Sequence, residues 1–141
     1  MTPHQITLVH DSFAILAPER ERAAALFYAR LFELDPSLRP MFPRELDEQG
    51  RKLMQVLATV VRSLNRIDAL LPTIDELALR HVRYGVVERH YATVGEALLW
   101  TLERGLGDAF CPVTKEAWSA AYGLLSGRMV QTAYCGAASA A

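Results

Sequence analysis

His81 is the residue in this sequence with the most chemistry open to it. Apolar side chains at Ile74, Leu77 and Ala78 precede it, so positions 74, 77, 78 and 81 repeat as i, i+3, i+4 and i+7, which places His81 on the buried stripe of a helix. A buried imidazole must satisfy two ring nitrogens, either with hydrogen-bonding neighbours or with a metal on one of them. Spacing leaves both open, and a satisfied core histidine is the commoner outcome. Three other residues point inward. Tyr28 lies on a mostly apolar surface with Ala24, Phe27, Leu31 and Phe32, Gln49 heads the stripe Leu53, Val56, Leu57, Val60, Val61 and Leu64, and Phe42 is trapped between Pro40 and Pro43. Each has a plain structural role available as core tyrosine, helix-edge glutamine or core phenylalanine. Together, an imidazole on one wall and a phenol plus an amide on the other suit a ligand bound on a metal.

The elements that must position these residues are punctuated by proline. Thr2-Pro3-His4-Gln5 has the spacing of a capping box with a first-turn proline, predicting a helix to about Leu16, and Pro18 predicts the start of a second. Pro36, Pro40 and Pro43 exclude a long helix between residues 36 and 47 and predict a corner with one short helical piece. A helix carrying Gln49 to Leu64 should follow, closing at Asn65 to Asp68. Thr73 to Glu76 has the spacing of another capping box, opening the helix of His81, which Gly85 should end. Tyr91, Val94, Leu98, Leu99 and Leu102 mark a long helix in which Gly95 permits close approach and which Gly105 and Gly107 should stop. Pro112 and Thr114 introduce a last helix with Trp118, Tyr122, Leu125 and Met129 on one stripe. Strand-like alternation is absent, so the expected fold is all-α with six or seven helices.

Bulk properties exclude several functions. The 141 residues suit one domain, expected over residues 1–135, with an Ala/Gly/Ser tail at 136–141 expected to be disordered. Basic and acidic residues number 15 and 16, net −1, without a basic patch, so no nucleic-acid partner is expected. No apolar run reaches membrane-spanning length and the first residues lack the features of a signal peptide, so no membrane partner and a cytoplasmic location are expected. Cys111 and Cys135 have no metal-ligand spacing and are expected to be free thiols.

Several segments carry a resemblance: Phe27 to Phe32, Pro40-Met41-Phe42, Arg51 to Leu57, Leu70-Leu71-Pro72, His81 to Val87, His90-Tyr91 through Val94-Gly95-Glu96, and Ala117-Trp118 through Ala121-Tyr122-Gly123. In order and spacing, from about residue 5 to 132, they resemble the bacterial single-domain haemoglobins and the globin module of flavohaemoglobins. The resemblance implies a three-over-three globin fold around a haem b pocket. It makes His81 the proximal iron ligand, Tyr28 and Gln49 the distal pair that hydrogen-bonds dioxygen, and Leu53 the apolar residue over the ligand site. Phe42 matches the wedge against the haem and Arg80 a residue that reaches a propionate. Val86, Tyr91, Val94 and Leu98 match the proximal haem lining, and Leu57 should touch the porphyrin. His90 reads as a surface residue at a helix start, and His4 and His10 lie off the stripe.

One departure matters. In flavohaemoglobins a tyrosine and a glutamate behind the proximal histidine strengthen its imidazolate character. Tyr91 matches the tyrosine, but the glutamate position falls at or beside Ala133, and no carboxylate lies between Glu116 and the C-terminus. The implied function is tight, reversible binding of dioxygen and other diatomic ligands (CO, NO) at a five-coordinate ferrous iron, for storage, transport or sensing. The alternative is nitric oxide dioxygenase activity with a separate reductase as partner; no Gly-rich flavin or nicotinamide motif occurs within these residues. A haem-free helical interaction module is the third class.

Overall fold

The computed structural model describes residues 1–135, and among these the chain forms six α-helices and no strand. Helix α1 (Pro3–Leu16) begins at the expected capping box, with Thr2 Oγ1 accepting from the Gln5 amide at 3.1 Å and Gln5 Oε1 accepting from the Thr2 amide at 3.0 Å. Pro3 costs nothing there, because first-turn amides have no intrahelical partner. Pro18 lies in a single 3-10 turn, Ala17–Glu19, and α2 (Arg20–Leu34) starts just after it. The clustered prolines give the expected corner, a 3-10 segment over Pro36–Met41 capped by Asp35, whose Oδ1 accepts from the Ser37 amide at 3.1 Å. Then come α3 (Asp47–Arg62), a 3-10 stretch Leu64–Leu70, α4 (Leu71–Arg83), α5 (Glu88–Leu106), α6 (Pro112–Val130) and a π-helical turn Gln131–Cys135. The expected tail after Cys135 lies outside the described residues.

Two expectations about helix ends are corrected. Thr73 and Glu76 form no capping box: α4 has already begun at Leu71, with Pro72 in its first turn, where a fixed φ and a missing N–H are welcome. Gly105 lies inside α5. Gly107, at φ +55°, ends that helix, and Gly105 is where α1 comes close, since a Cβ there would meet Leu16 Cδ1 at 2.6 Å.

The helices pack in the three-over-three arrangement that the resemblance implied: α1 packs on α6, α3 and α5, α2 lies on α3 and across α5, and α4 packs chiefly on α6 and the π turn that follows it. Helices α3 and α4 are thus adjacent in sequence but rest on different neighbours. The apolar residues divide accordingly. A large cluster joins α1, α2, α3, α5 and α6 around Leu31, Leu102, Val9 and Trp118, and a smaller one joins Ile74 and Ala78 of α4 to Tyr91 and Met129.

Gly95 is a point of close approach between α5 and α6. A Cβ there would meet Tyr122 Cε2 at 2.7 Å, and that ring cannot swing aside freely because its hydroxyl donates to the Tyr91 carbonyl at 2.6 Å. Replacing a helix-interior glycine by alanine gains about 0.5–1 kcal/mol of helix propensity, whereas overpacking costs about 1–3 kcal/mol. The clash wins, so Gly95→Ala should lower unfolding free energy by roughly 1–2 kcal/mol in urea denaturation. An unchanged or raised midpoint would show that the interface relaxes without cost.

Candidate functional site

His81 stands in the last turn of α4, half-buried. Its Nδ1 lies 2.8 Å from the Leu77 carbonyl, so that nitrogen carries the proton and donates, while Nε2 makes no hydrogen bond among the described residues. Burial lowers the imidazole's pKa; the Leu77 carbonyl works against this and the Arg80 charge with it. The ring is therefore neutral, with one lone pair uncommitted. Its backbone is also fixed. Gly85 adopts φ +92°, the Gly85 amide donates to Val82 at 3.0 Å, and the Val86 amide donates to the His81 carbonyl at 3.0 Å. These two bonds form a Schellman motif whose left-handed residue must be glycine, and its outer bond closes on His81 itself.

Tyr28 is 3% exposed, in an aromatic nest with Phe27 at 5.1 Å, Phe32 at 6.1 Å and Phe42 at 5.5 Å between ring centroids. Its hydroxyl has only a long 3.4 Å bond to the Gln49 carbonyl, in the first turn of α3. Tyr28, Phe42, Leu53, Leu57, Val94 and Leu98 all belong to the large apolar cluster, and Leu57 and Leu98 share an apolar cavity of about 20 Å³ with Trp118. Gln49 is half-buried, and the structure brings the two sequence-selected residues together through the Gln49 backbone carbonyl. Val86 and Tyr91 belong to the smaller cluster beside α4, and Arg80 is exposed.

His90 is not the surface residue expected. It is 7% exposed, and its Nδ1 accepts from the Val87 amide at 3.1 Å, reaching back to cap the start of α5. That bond occupies one nitrogen and explains the burial. Tyr91 is also buried, and its hydroxyl has no partner among the described residues. At the position where a carboxylate was sought lie Ala133 and Tyr134, both packed against the smaller cluster.

The sequence reading missed three long-range polar contacts around α4. Arg128 grips Asp75 through Nε and Nη2, each at 2.8 Å, Thr132 Oγ1 donates to Asp75 Oδ1 at 2.6 Å, and the Tyr134 hydroxyl donates to the Val86 carbonyl at 2.7 Å. Arg128 and Thr132 hold the Asp75 carboxyl down to about 2. Partners separated by 48 to 57 residues leave no periodic signal. Among the described residues no group of His, Cys, Asp and Glu could hold a metal ion by itself. Cys111 is a free thiol, while the side chain of Cys135 lies outside what is described.

The fold and site define an all-helical protein in which α4 carries an imidazole with one free nitrogen and α2 a buried phenol. A globin family model matches residues 25–129, and the chain belongs to the globin family. It is 32% identical to the flavohemoprotein of Bordetella parapertussis over 133 residues, covering 92% of this chain and 33% of that protein. The Vibrio cholerae flavohemoprotein is 28% identical over 129 residues, with 89% and 33% covered. The chain thus spans about a third of the length of the curated relatives it matches. In three dimensions it is similar to a bacterial globin from Campylobacter jejuni, with TM-score 0.84, 28% identity and 94% and 96% of the two chains covered. An engineered carbene transferase, built on a proposed nitric oxide dioxygenase of Rhodothermus marinus, gives TM-score 0.86 at 27% identity, covering 99% and 98%. Haem is the cofactor of this family. The residues fit it on two observations: Nε2 of His81 has no hydrogen-bond partner among the described residues, and neither has the buried hydroxyl of Tyr91, which lies in the smaller apolar cluster.

Burial pushes the phenols of Tyr28 and Tyr91 up to about 12, and that of Tyr122 further. An acid whose folded pKa exceeds its unfolded value of roughly 10 contributes stability that is complete below the unfolded value and is lost as pH rises through the folded one. In an alkaline titration these three phenols should stay neutral well past pH ~10 and ionise only as the chain unfolds. Phenolate absorbance from all five tyrosines in the still-folded protein would contradict their burial.

Proposed function

We propose that this chain is a haem b globin that binds dioxygen tightly and reversibly, with His81 as proximal ligand and Tyr28 and Gln49 as distal donors. The observation that carries this reading is the state of the His81 ring, neutral and oriented by the Leu77 carbonyl through Nδ1, with Nε2 left to coordinate. Haem, held by His81, would supply a ferrous iron able to bind a diatomic ligand. The remaining tasks fall to the chain's own residues. The Nδ1–H bond to Leu77 sets the tautomer and ring orientation and makes Nε2 a better donor. Tyr28, kept neutral by burial and weakly engaged at 3.4 Å, remains a proton donor for a polar ligand, and the Gln49 amide adds a second. Leu53 and Leu57 exclude water, Phe42 is the wedge beside Tyr28, and exposed Arg80 is free to meet a propionate. Val86, Tyr91, Val94 and Leu98 line the proximal side. CO and NO are further ligands of the same site.

On the segments Arg51 to Leu57 and Tyr84 to Val87 we further propose a kinship with Hell's Gate globin I. The second reading is nitric oxide dioxygenase. It is favoured by the flavohemoprotein relatives and the Rhodothermus neighbour. Nitric oxide and dioxygen combine to nitrate, and one electron from a separate reductase completes each cycle. The Tyr91 hydroxyl without a carboxylate partner favours reversible binding over this chemistry.

Absorption spectroscopy tests the haem assignment: protein expressed with adequate haem should show a Soret band that His81→Ala abolishes or alters, and an unaltered band removes His81 from the site. Tyr28→Phe should accelerate dioxygen dissociation about tenfold or more, because a charge-assisted hydrogen bond of ~1.4 kcal/mol is a factor of ten. Stopped-flow measurement giving an equal off-rate would exclude Tyr28 as a donor. Sustained nitric oxide consumption with an added reductase selects the second reading.

A further inference from the structure

We propose that Arg128, Thr132 and Tyr134 are positioning residues for His81, acting through a polar staple that holds the His81 segment at both of its ends. The inference rests on His81 being the haem ligand. Six residues before His81, both carboxylate oxygens of Asp75 are taken, by Arg128 at 2.8 and 2.8 Å and by Thr132 at 2.6 Å. Five residues after it, the Val86 carbonyl accepts from Tyr134 at 2.7 Å. All three donors belong to residues 128–134, the end of α6 and the π turn that continues it.

Helix α4 needs such a hold. It buries only Ile74 and Ala78, leaves Leu79 and Val82 exposed, and has no side-chain cap at its start. An apolar contact that small is non-directional and permits sliding or rotation about the helix axis. A bidentate arginine–carboxylate pair fixes angle as well as distance. The hold is transmitted to the ring by two short paths. Upstream, the stapled turn at Asp75 carries the Leu77 carbonyl, which orients Nδ1 at 2.8 Å. Downstream, stapled Val86 donates its own amide to the His81 carbonyl at 3.0 Å. A shift at either end therefore moves the imidazole.

The carboxylate sits on α4 and the cation on α6, so the carboxylate positions the helix and leaves the electronics of the imidazole to the Leu77 carbonyl. The Tyr91 hydroxyl, lacking a partner, is consistent with that division of labour.

The test uses the haem-loaded full chain with Arg128→Gln, Thr132→Val and Tyr134→Phe, read by resonance Raman spectroscopy of the iron–histidine stretch in the ferrous protein and by haem transfer to excess apomyoglobin. We expect each variant to shift or broaden the stretch and Arg128→Gln to speed haem loss roughly tenfold or more, the scale of one lost charge-assisted bond. The exchanged pair Asp75→Arg with Arg128→Asp should recover part of both, which loss of helix content alone would not do. Tyr134→Phe and Thr132→Val remove single oxygen atoms and keep the fold, confirmed by circular dichroism. A stretch and transfer rate equal to the parent's in these two and in Arg128→Gln would overturn the staple. An iron–histidine band that survives in His81→Ala identifies a different failure, that of the ligand assignment on which the staple depends.

Discussion

The hydrogen bond from His81 Nδ1 to the Leu77 carbonyl is the contact on which the chemistry of the proposed site depends. It lies within one helix turn, so α4 makes it wherever it folds, and it decides which nitrogen keeps a proton and which keeps a lone pair. Burial reinforces the choice by disfavouring the imidazolium. What this local bond cannot do is fix where the ring stands relative to the distal residues. That depends on α4 as a body, and α4 is the helix with little apolar anchorage and a polar grip on α6.

The distal side is built on the opposite principle. Tyr28 is immobilised by aromatic neighbours on α2 and at the proline corner, and its hydroxyl is almost unspent, with one long bond to a backbone carbonyl. An interior that is apolar except for such a donor makes the donor count for more, because unpaired polar groups are costly in low dielectric and a polar ligand relieves that cost. The same apolar wall raises the phenol's pKa and keeps it a donor at neutral pH. In the proposed site the grip on α4 would set geometry and the packing around Tyr28 would set affinity, and the two reside on helices that rest on different neighbours.

Helix number, the capping box at Thr2, the corner at Pro36–Met41 and the stop at Gly85 were all legible, since each follows from interactions within four or five residues. The errors were also local in kind. Thr73 had capping-box spacing, but Pro72 made an earlier start favourable, and Gly105 looked like a helix end but serves as a contact for Leu16. A histidine at a helix start has no periodic neighbours to mark it as buried, yet His90 turns back to cap Val87.

At the site, the sequence by itself determined that His81 sits on a buried stripe, that Tyr28 and Gln49 head inward, and that no carboxylate from the last helix can stand behind the imidazole. These follow from helical periodicity and from residue identity, which need no coordinates. Only the tertiary structure decided which nitrogen of His81 is free, that the Tyr91 hydroxyl is orphaned, and that Asp75, Arg128, Thr132 and Tyr134 bind the His81 segment from both ends. The tautomer depends on a carbonyl's direction and the staple on partners some fifty residues apart, and a side chain's identity says nothing of what the packed chain will bring within hydrogen-bonding distance.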